Sequence, residues 1–410
     1  MTIKQAFDGC TGNTSKQSQN DMISRSPNRK PNIVIYRDSL LPPSETFIRA
    51  QGEGISTYAP FHLGLTRVPG VELPSERTFT LSDGFPLGRV QEVIFKFTGY
   101  SHKMHKQFLG IGPSLIHAHF GFDGTTILPL VERLRLPLVV TYHGFDATLR
   151  PDYLLQSRWG RRYLAREDLL KRRCNQFIAV SQFIQSKLVE RGFPEDKIVV
   201  HYIGLDTQAF MPVSAVQREP MVLFVGRLVE KKGCEFLIRA MQFVQEPAPK
   251  TELVIVGDGP LRPSLERQAA ATLRHFSFVG VQKPQQIRGW MGRATVFCVP
   301  SVVAESGDAE GFGIVFLESQ AMGLPVVSFA SGGIPEAVAN GETGLLAPDR
   351  DWRALAENIH FLLTDQAAWK SMSRAGQERV RRDFDLRIQC AKLEQIYGET
   401  LVQPGINNNE

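Results

Sequence analysis

The sequence predicts an α/β protein: two doubly wound domains facing each other across a cleft. Three observations carry that expectation. Short, continuous apolar runs recur along the chain and alternate with amphipathic stretches. This is the pattern of parallel strands covered by helices on both faces. The runs fall into two series. Between the series, residues 210–220 carry two prolines and no clear periodicity, which marks a linker.

In chain order, the first series reads as strands at residues 32–36, 114–119, 138–143, 176–180 and 197–200. Ser181 stands where a helix cap belongs. The second series reads as strands at 221–225, 252–256, 277–279, 296–299 and 325–328. Helical patterns cover 233–243, 260–273, 316–322 and 352–363. Residues 1–30 are polar and read as a disordered tail, as do residues 404–410. The domains are therefore expected at 31–212 and 213–385. Ligands of doubly wound sheets bind at the carboxyl ends of strands, so the cleft between the domains is the expected site.

Composition narrows the class. The chain has 410 residues, 42% hydrophobic and 22% charged, which excludes collagen-like, fibrous and largely disordered proteins. Net charge is +5, from 47 basic and 42 acidic residues. That bias is too small for a dedicated nucleic-acid protein but suits anionic substrates or an anionic membrane surface. The five cysteines, Cys10, Cys174, Cys234, Cys298 and Cys390, form no CxxC pair. Disulfide scaffolds and zinc ribbons are excluded on that ground, and a reducing compartment is expected. No apolar run approaches the ~20 residues of a membrane span. The first 30 residues lack the apolar segment of a secretory signal. The expected location is the cytoplasm.

Several strand ends carry chemistry. In Glu310-Gly-Phe-Gly-Ile-Val-Phe-Leu-Glu318, Gly311 and Gly313 let backbone amides approach a ligand, and a helix begins near Ile314. An open helix N-terminus binds phosphate. Glu318 lies one turn on, on the same face, where a carboxylate suits a ribose diol. Gly226-Arg227 and Lys231-Lys232-Gly233 place cations at a strand end, a pattern that suits a diphosphate. Val256-Gly257-Asp258-Gly259-Pro260 is another strand-to-helix turn, with Pro260 at a first helical position. Arg262 occupies the third glycine place of a dinucleotide fingerprint, which argues against a nicotinamide-dependent oxidoreductase. The turn 331–336 is either a close approach to phosphate or sugar, or a plain tight turn. His117 and His119 share one strand face and are either metal ligands or structural. His143 ends a strand in position for the cleft. The pairs Asp349/Asp351 and Asp383/Asp385 precede helical patterns and read as caps rather than metal ligands. Residues 150–173 hold eight Arg/Lys against three acids, either a solvated helix or a face for anionic lipid.

Together these motifs resemble the retaining glycosyltransferases of family 4, which have the GT-B fold of two Rossmann-like domains. Glu310 to Glu318 is similar to that family's E-x7-E signature, and Gly226-Arg227 with Lys232-Gly233 to its GR…KG element. Val256-Gly-Asp-Gly259, Gly333-Ile-Pro-Glu336 and Asn340-Gly-Glu-Thr-Gly344 resemble its further signatures, in order. In the first half, Pro43-Ser-Glu-Thr-Phe-Ile48, His117-Ala-His-Phe-Gly121 and Thr141-Tyr-His-Gly-Phe-Asp146 resemble a bacterial exopolysaccharide and colanic-acid subset. The resemblance spans about residues 31–400. One departure is Leu41-Pro-Pro-Ser-Glu-Thr-Phe47, which stands where many members carry a Gly-Gly loop; there Ser44 is expected to cap the following helix.

The resemblance implies transfer of a sugar, with retention, from a UDP- or GDP-sugar to a glycan or lipid-linked glycan. It implies the nucleotide-diphosphate sugar as co-substrate, no further cofactor, no metal and no nucleic acid. The implied catalytic residues are His143, Arg227, Lys232 and Glu310. Donor binding falls to Gly257, Asp258, Gly311, Phe312, Gly313, Ile314 and Glu318. Ser44, Glu45, His119 and Asp146 fall on the acceptor side. A last helix over residues 386–403 is expected to cross back to the first domain. Enzymes of this kind are expected at the inner face of the plasma membrane. The alternative is a non-catalytic nucleotide-sugar-binding protein of the same fold.

Overall fold

The computed structural model describes residues 30–82, 86–212 and 217–402. The polar tails read at the two ends lie outside the described residues, Lys30 excepted. So does position 213, where the second domain is read to begin. The first half of the chain forms strands β1 (Asn32–Tyr36), β2 (Ser39–Leu40), β3 (Ala59–Gly64), β4 (Thr66–Arg67), β5 (Thr78–Thr80), β6 (Leu115–His119), β7 (Leu138–Tyr142), β8 (Gln176–Ala179) and β9 (Ile198–Val200). The second half forms β10 (Met221–Val225), β11 (Glu252–Val256), β12 (Phe276–Gly280), β13 (Val296–Cys298), β14 (Val326–Phe329) and β15 (Gly344–Ala347).

The first sheet runs β5-β3-β1-β6-β7-β8-β9 and the second β12-β11-β10-β13-β14-β15. Every pairing in both is parallel. A short parallel pair, β2-β4, stands beside the first sheet. All five residues of β7 and of β10 are buried, as strands covered on both faces require. Strand order reverses between β1 and β6 in one sheet and between β10 and β13 in the other. Such reversals open a crevice at the strands' carboxyl ends.

The last helix, Leu386–Val402, packs on the first sheet. Its Leu393, Ile396 and Tyr397 share one apolar cluster with Ile33, Leu115, Val139 and Ile178. Hydrogen bonds from Ser181 and Glu336 are among the contacts that join the halves near the crevice. The Ser181 hydroxyl donates to the Gly311 carbonyl at 2.6 Å. The Glu336 carboxylate accepts the amides of Gln182 and Phe183 at 2.7 and 2.9 Å, and the Tyr202 hydroxyl at 3.0 Å. Ser181 also caps the helix Gln182–Glu190 by accepting from Ile184 N–H. One helix N-terminus is thus capped from both halves.

Candidate active site

On the second half, Gly226 and Arg227 follow β10 directly, and Arg227 is exposed. The single turn Glu230–Lys232 follows and closes on Gly233 at φ +62°. A Cβ on Gly233 would stand 1.9 Å from the Pro300 carbonyl oxygen, so this turn admits only glycine. The tight turn aims both lysines at the segment after β13. Lys231 Nζ pairs with Asp308 at 2.9 Å, and Lys232 pairs with Glu310. Burial raises the affinity of the Glu310 carboxyl for a proton, but Lys232, Lys231 and Arg227 more than offset it. Glu310 is therefore held below its ordinary pKa and is ionised.

The helix Ile314–Ala321 starts at Gly313, φ +84°, and no side chain caps it. Its first amides are left for a ligand. Glu318 lies one turn along, half-buried, and its carboxylate makes no hydrogen bond among the described residues. Burial pushes its carboxyl up to about 7, with only Arg288 opposing. Asp258 turns back on its own loop, its carboxylate accepting Gly259 N–H at 2.7 Å, while Gly257 adopts φ +134° beside Gly226.

The first half meets this surface at the end of β7. A Cβ on Gly311 would stand 2.0 Å from the His143 carbonyl oxygen, so the two loops touch through backbone. The His143 imidazole lies between Phe47, Phe120 and His119, at ring-centroid distances of 5.1, 4.6 and 5.2 Å. Its Nε2 shares a hydrogen bond with His119 Nδ1 at 3.0 Å, and its Nδ1 has no partner. Burial, with the charges of His117 and Arg37, holds His143 well below the ordinary imidazole value, so the ring is neutral. A neutral ring with one buried, unpartnered nitrogen can give or take one further hydrogen bond.

Two family models match the chain: one described as glycosyltransferase family 4 over residues 65–209, the other as glycosyl transferases group 1 over residues 206–379. The amylovoran biosynthesis glycosyltransferase AmsK of Erwinia amylovora is 30% identical over 68% of this chain and 68% of its own length. The chain belongs to the family 4 glycosyltransferases. Another relative, the putative colanic acid biosynthesis glycosyltransferase WcaL of Escherichia coli, is 30% identical over 68% of this chain and 69% of its own length. The fold is likewise that of solved structures. Sucrose-phosphate synthase from Thermosynechococcus elongatus superposes with a TM-score of 0.74 at 23% identity, covering 92% of this chain and all of its own. Anabaena HepE, solved with UDP and glucose, gives 0.72 at 20% identity over 90% of this chain and all of its own. The two sheets are the two Rossmann-like halves of a GT-B enzyme.

Within this glycosyltransferase the residues read from sequence divide. Arg227, Lys232, Glu310, Gly311, Gly313, Ile314 and Glu318 gather at the carboxyl ends of β10 and β13. Phe312 is in the same loop, but its side chain is buried against Tyr202 and Phe384, at 5.3 and 5.5 Å between centroids; only its backbone faces the site. Asp146 is buried, and its carboxylate accepts the amides of Gly121, His143 and Gly144 at 3.1, 3.1 and 2.9 Å. It clasps the loops after β6 and β7. Ser44 corrects a reading: it caps no helix. Pro43–Glu45 is a single 3-10 turn, Glu45 precedes the helix Thr46–Gly54, and neither start carries a side-chain cap. Pro42 and Pro43 fix the backbone into that turn ahead of the hydroxyl. Pro260 is also displaced, since the helix starts at Arg262.

His117 is structural, its ring bonded to the hydroxyls of Tyr397 and Thr141 at 2.7 and 2.6 Å. Asp351 caps its helix, accepting from Arg353 and Ala354, and Asp385 accepts from Arg387 at the next helix start. Asp383 instead pairs with Arg382 at the end of a helix. Among the described residues no cluster of three His, Cys, Asp or Glu is placed to hold a metal ion. No helix among them is long and apolar enough to cross a membrane. The cations of 150–173 are largely engaged: Arg150 with Asp152, Lys171 with Asp168, Arg173 with Glu132 and Arg166 with the Phe97 carbonyl.

Sequence reasoning passed over Arg37. It follows β1 directly, and its guanidinium holds Glu45 at 2.8 Å and Asp123 at 2.7 Å while covering the Phe120 ring at 4.3 Å. Its place at the first strand's carboxyl end is the signal that marks it. Glu336 was legible as part of a turn, but not as the carboxylate that joins the halves.

Proposed function

We propose that this glycosyltransferase moves a sugar from a UDP- or GDP-sugar to a glycan or lipid-linked glycan of a cell-surface polysaccharide, with retention and without a divalent metal. The carrying observation is the cluster at one crevice: exposed Arg227, the Lys232–Glu310 pair and the uncapped helix start at Gly313, set against neutral His143. Fixed cations and open amides there stabilise charge that develops on a leaving diphosphate. Arg227 and Lys232 neutralise that group, with amides of Gly311–Ile314. Glu310 holds sugar hydroxyls once a diphosphate draws Lys232 away, and Glu318 takes the ribose diol. Gly257 and Asp258 line the donor side. The free Nδ1 of His143 orients the sugar.

On the acceptor side Glu45, His119 and Asp146 hold the loops in place, and Ser44 presents an exposed hydroxyl. Relatives support a nucleotide-sugar donor without choosing it. Anabaena HepE was solved with UDP-glucose, and a Mycolicibacterium smegmatis relative, 32% identical over 53% of this chain and 60% of its own length, is a GDP-mannose-dependent mannosyltransferase. AmsK and WcaL favour exopolysaccharide as the product. The enzyme acts in the cytoplasm, at the inner membrane face.

The test is a nucleotide-release assay over UDP- and GDP-sugars, run with and without EDTA, with product anomers read by NMR. Release selective for one donor and insensitive to EDTA is expected. Dependence on Mg²⁺ or Mn²⁺, or an inverted product, overturns the metal or stereochemical part.

A further inference from the structure

The helix Pro86–Thr98 presents an apolar stripe outward. Val90, Val93, Ile94 and Phe97 follow i, i+3, i+4, i+7 spacing and are 54%, 39%, 51% and 55% exposed. The helix is anchored from its other side, where Phe95 is fully buried in the first half's core. An outward stripe of this length is more than the scattered apolar residues of an ordinary surface.

Beside the stripe runs an open groove of about 460 Å³. Arg67, Arg89, Lys96 and Arg158 line it together with Trp159, and Glu92 is the single acid among its lining residues. Arg67, Arg89 and Arg158 are exposed and enter no ion pair among the described residues. Trp159 bridges the apolar and basic parts. Its ring lies 6.0 Å from that of Phe97, and the cations of Lys96 and Arg158 stand over it at 5.1 and 4.5 Å. Amphipathic aromatic rings flanked by cations suit the boundary between acyl chains and headgroups.

The groove adjoins the acceptor side of the crevice. Lys96 Nζ lies 3.4 Å from the carboxylate of Asp38, the second residue after β1. Arg67 belongs to β4, which pairs with β2 immediately beyond it.

We propose that the outward stripe of this helix and its cationic groove seat the enzyme on an anionic phospholipid surface. The proposal builds on the reading of a lipid-linked acceptor, which such seating would bring to the first half's strand ends. Charge complementarity selects the occupant. A second copy docking isologously would set the unpaired arginines against themselves. A bilayer of anionic lipid answers both the cations and the stripe. The stripe also relocates the membrane face expected over residues 150–173, since most cations there are held by their own fold and Arg158 is the one that joins the groove.

Co-sedimentation of the full chain with vesicles tests it. Mixed phosphatidylglycerol and phosphatidylethanolamine vesicles should bind the protein at low salt and release it at high salt, while phosphatidylcholine vesicles should not bind it. Arg89→Gln/Arg158→Gln should lower partitioning roughly thirtyfold, from about one cation's worth of attraction at each site. Ile94→Gln/Phe97→Gln should lower it roughly tenfold or more by removing inserted apolar area. All four side chains are exposed, so circular dichroism and nucleotide release to water should match wild type. No binding to anionic vesicles, or wild-type binding by both variants, overturns the proposal. So does concentration-dependent self-association that the variants abolish, which would make the face a dimer contact. Vesicle binding without any nucleotide release supports the surface and sinks the transferase reading instead; release without vesicle binding does the reverse.

Discussion

The two sets of strand ends that meet at the crevice treat their charged groups differently. In the first half the carboxylates are satisfied from within, Glu45 and Asp123 by Arg37 and Asp146 by three backbone amides, while His119 and His143 share one hydrogen bond and each keeps one ring nitrogen without a partner. In the second half Arg227 is exposed, the Glu318 carboxylate has no hydrogen-bond partner among the described residues, and the helix start at Gly313 is uncapped. An exposed cation, a carboxylate without a hydrogen bond and an uncapped helix start together suit a ligand that carries both phosphate and hydroxyl groups. The first half therefore supplies shape, and the second supplies groups that await charge.

The sharpest way to break this contrast is to remove charge from the second half. Lys232→Ala should lower kcat by roughly 10²–10³, the loss seen when one preorganised donor to developing charge is deleted. Glu310→Gln should also lower kcat while preserving shape. Because the two side chains pair and each is only 13% exposed, the single variants should lose some thermal stability, and the double variant less than their sum. Steady-state kinetics beside thermal unfolding separates the effects. Wild-type kcat with only a raised donor KM in Glu310→Gln would show that this carboxylate serves binding alone.

The converse acts on the first half. Asp146→Ala strands three amides in a buried site and should destabilise the fold by about 1–3 kcal/mol. Asp146→Asn keeps one acceptor oxygen and should recover part of that. At temperatures where either variant is folded, kcat should fall less than in Lys232→Ala, since Asp146 works through loop position. A kcat loss matching Lys232→Ala at unchanged stability would place Asp146 in the chemistry and erase the contrast.

How far the sequence foretold this follows from the same physics. Strands that are almost wholly apolar, such as β7, β10 and β11, were legible to within a residue because both faces are buried. Strand β3 was missed: Pro60 and His62 interrupt its apolar run, and nothing local shows that His62 lies buried inside. The helix Gln366–Asp383 was missed because its exposed face is crowded with Arg, Glu and Lys, which dilutes the periodicity. The second half's site was legible because glycines and charges sit close together along the chain. Arg37 with Asp123, and Glu336 with Gln182, join residues that are far apart in sequence, and no local pattern announces such a pair.

Glu318 gives the smallest and most diagnostic effect. Its carboxyl is raised to about 7 by burial, above the ordinary 4.5. Between those values the native state holds a proton that the unfolded chain has lost, so this group's stabilising contribution is present below about 4.5 and is lost as pH rises through about 7. A ribose diol donates hydrogen bonds, and an ionised carboxylate accepts them better than a protonated one. Donor affinity should therefore rise over the same interval in which stability falls. In wild type, donor KM should drop as pH rises through about 7, while the thermal midpoint declines. Glu318→Gln should flatten both trends and raise donor KM roughly tenfold with kcat little changed, because ribose contacts are alike in the ground and transition states. The two profiles together discriminate: a KM trend that survives in Glu318→Gln assigns the titration to another group, and a fall in kcat at constant KM moves Glu318 from holding the nucleotide to the reacting end of the donor.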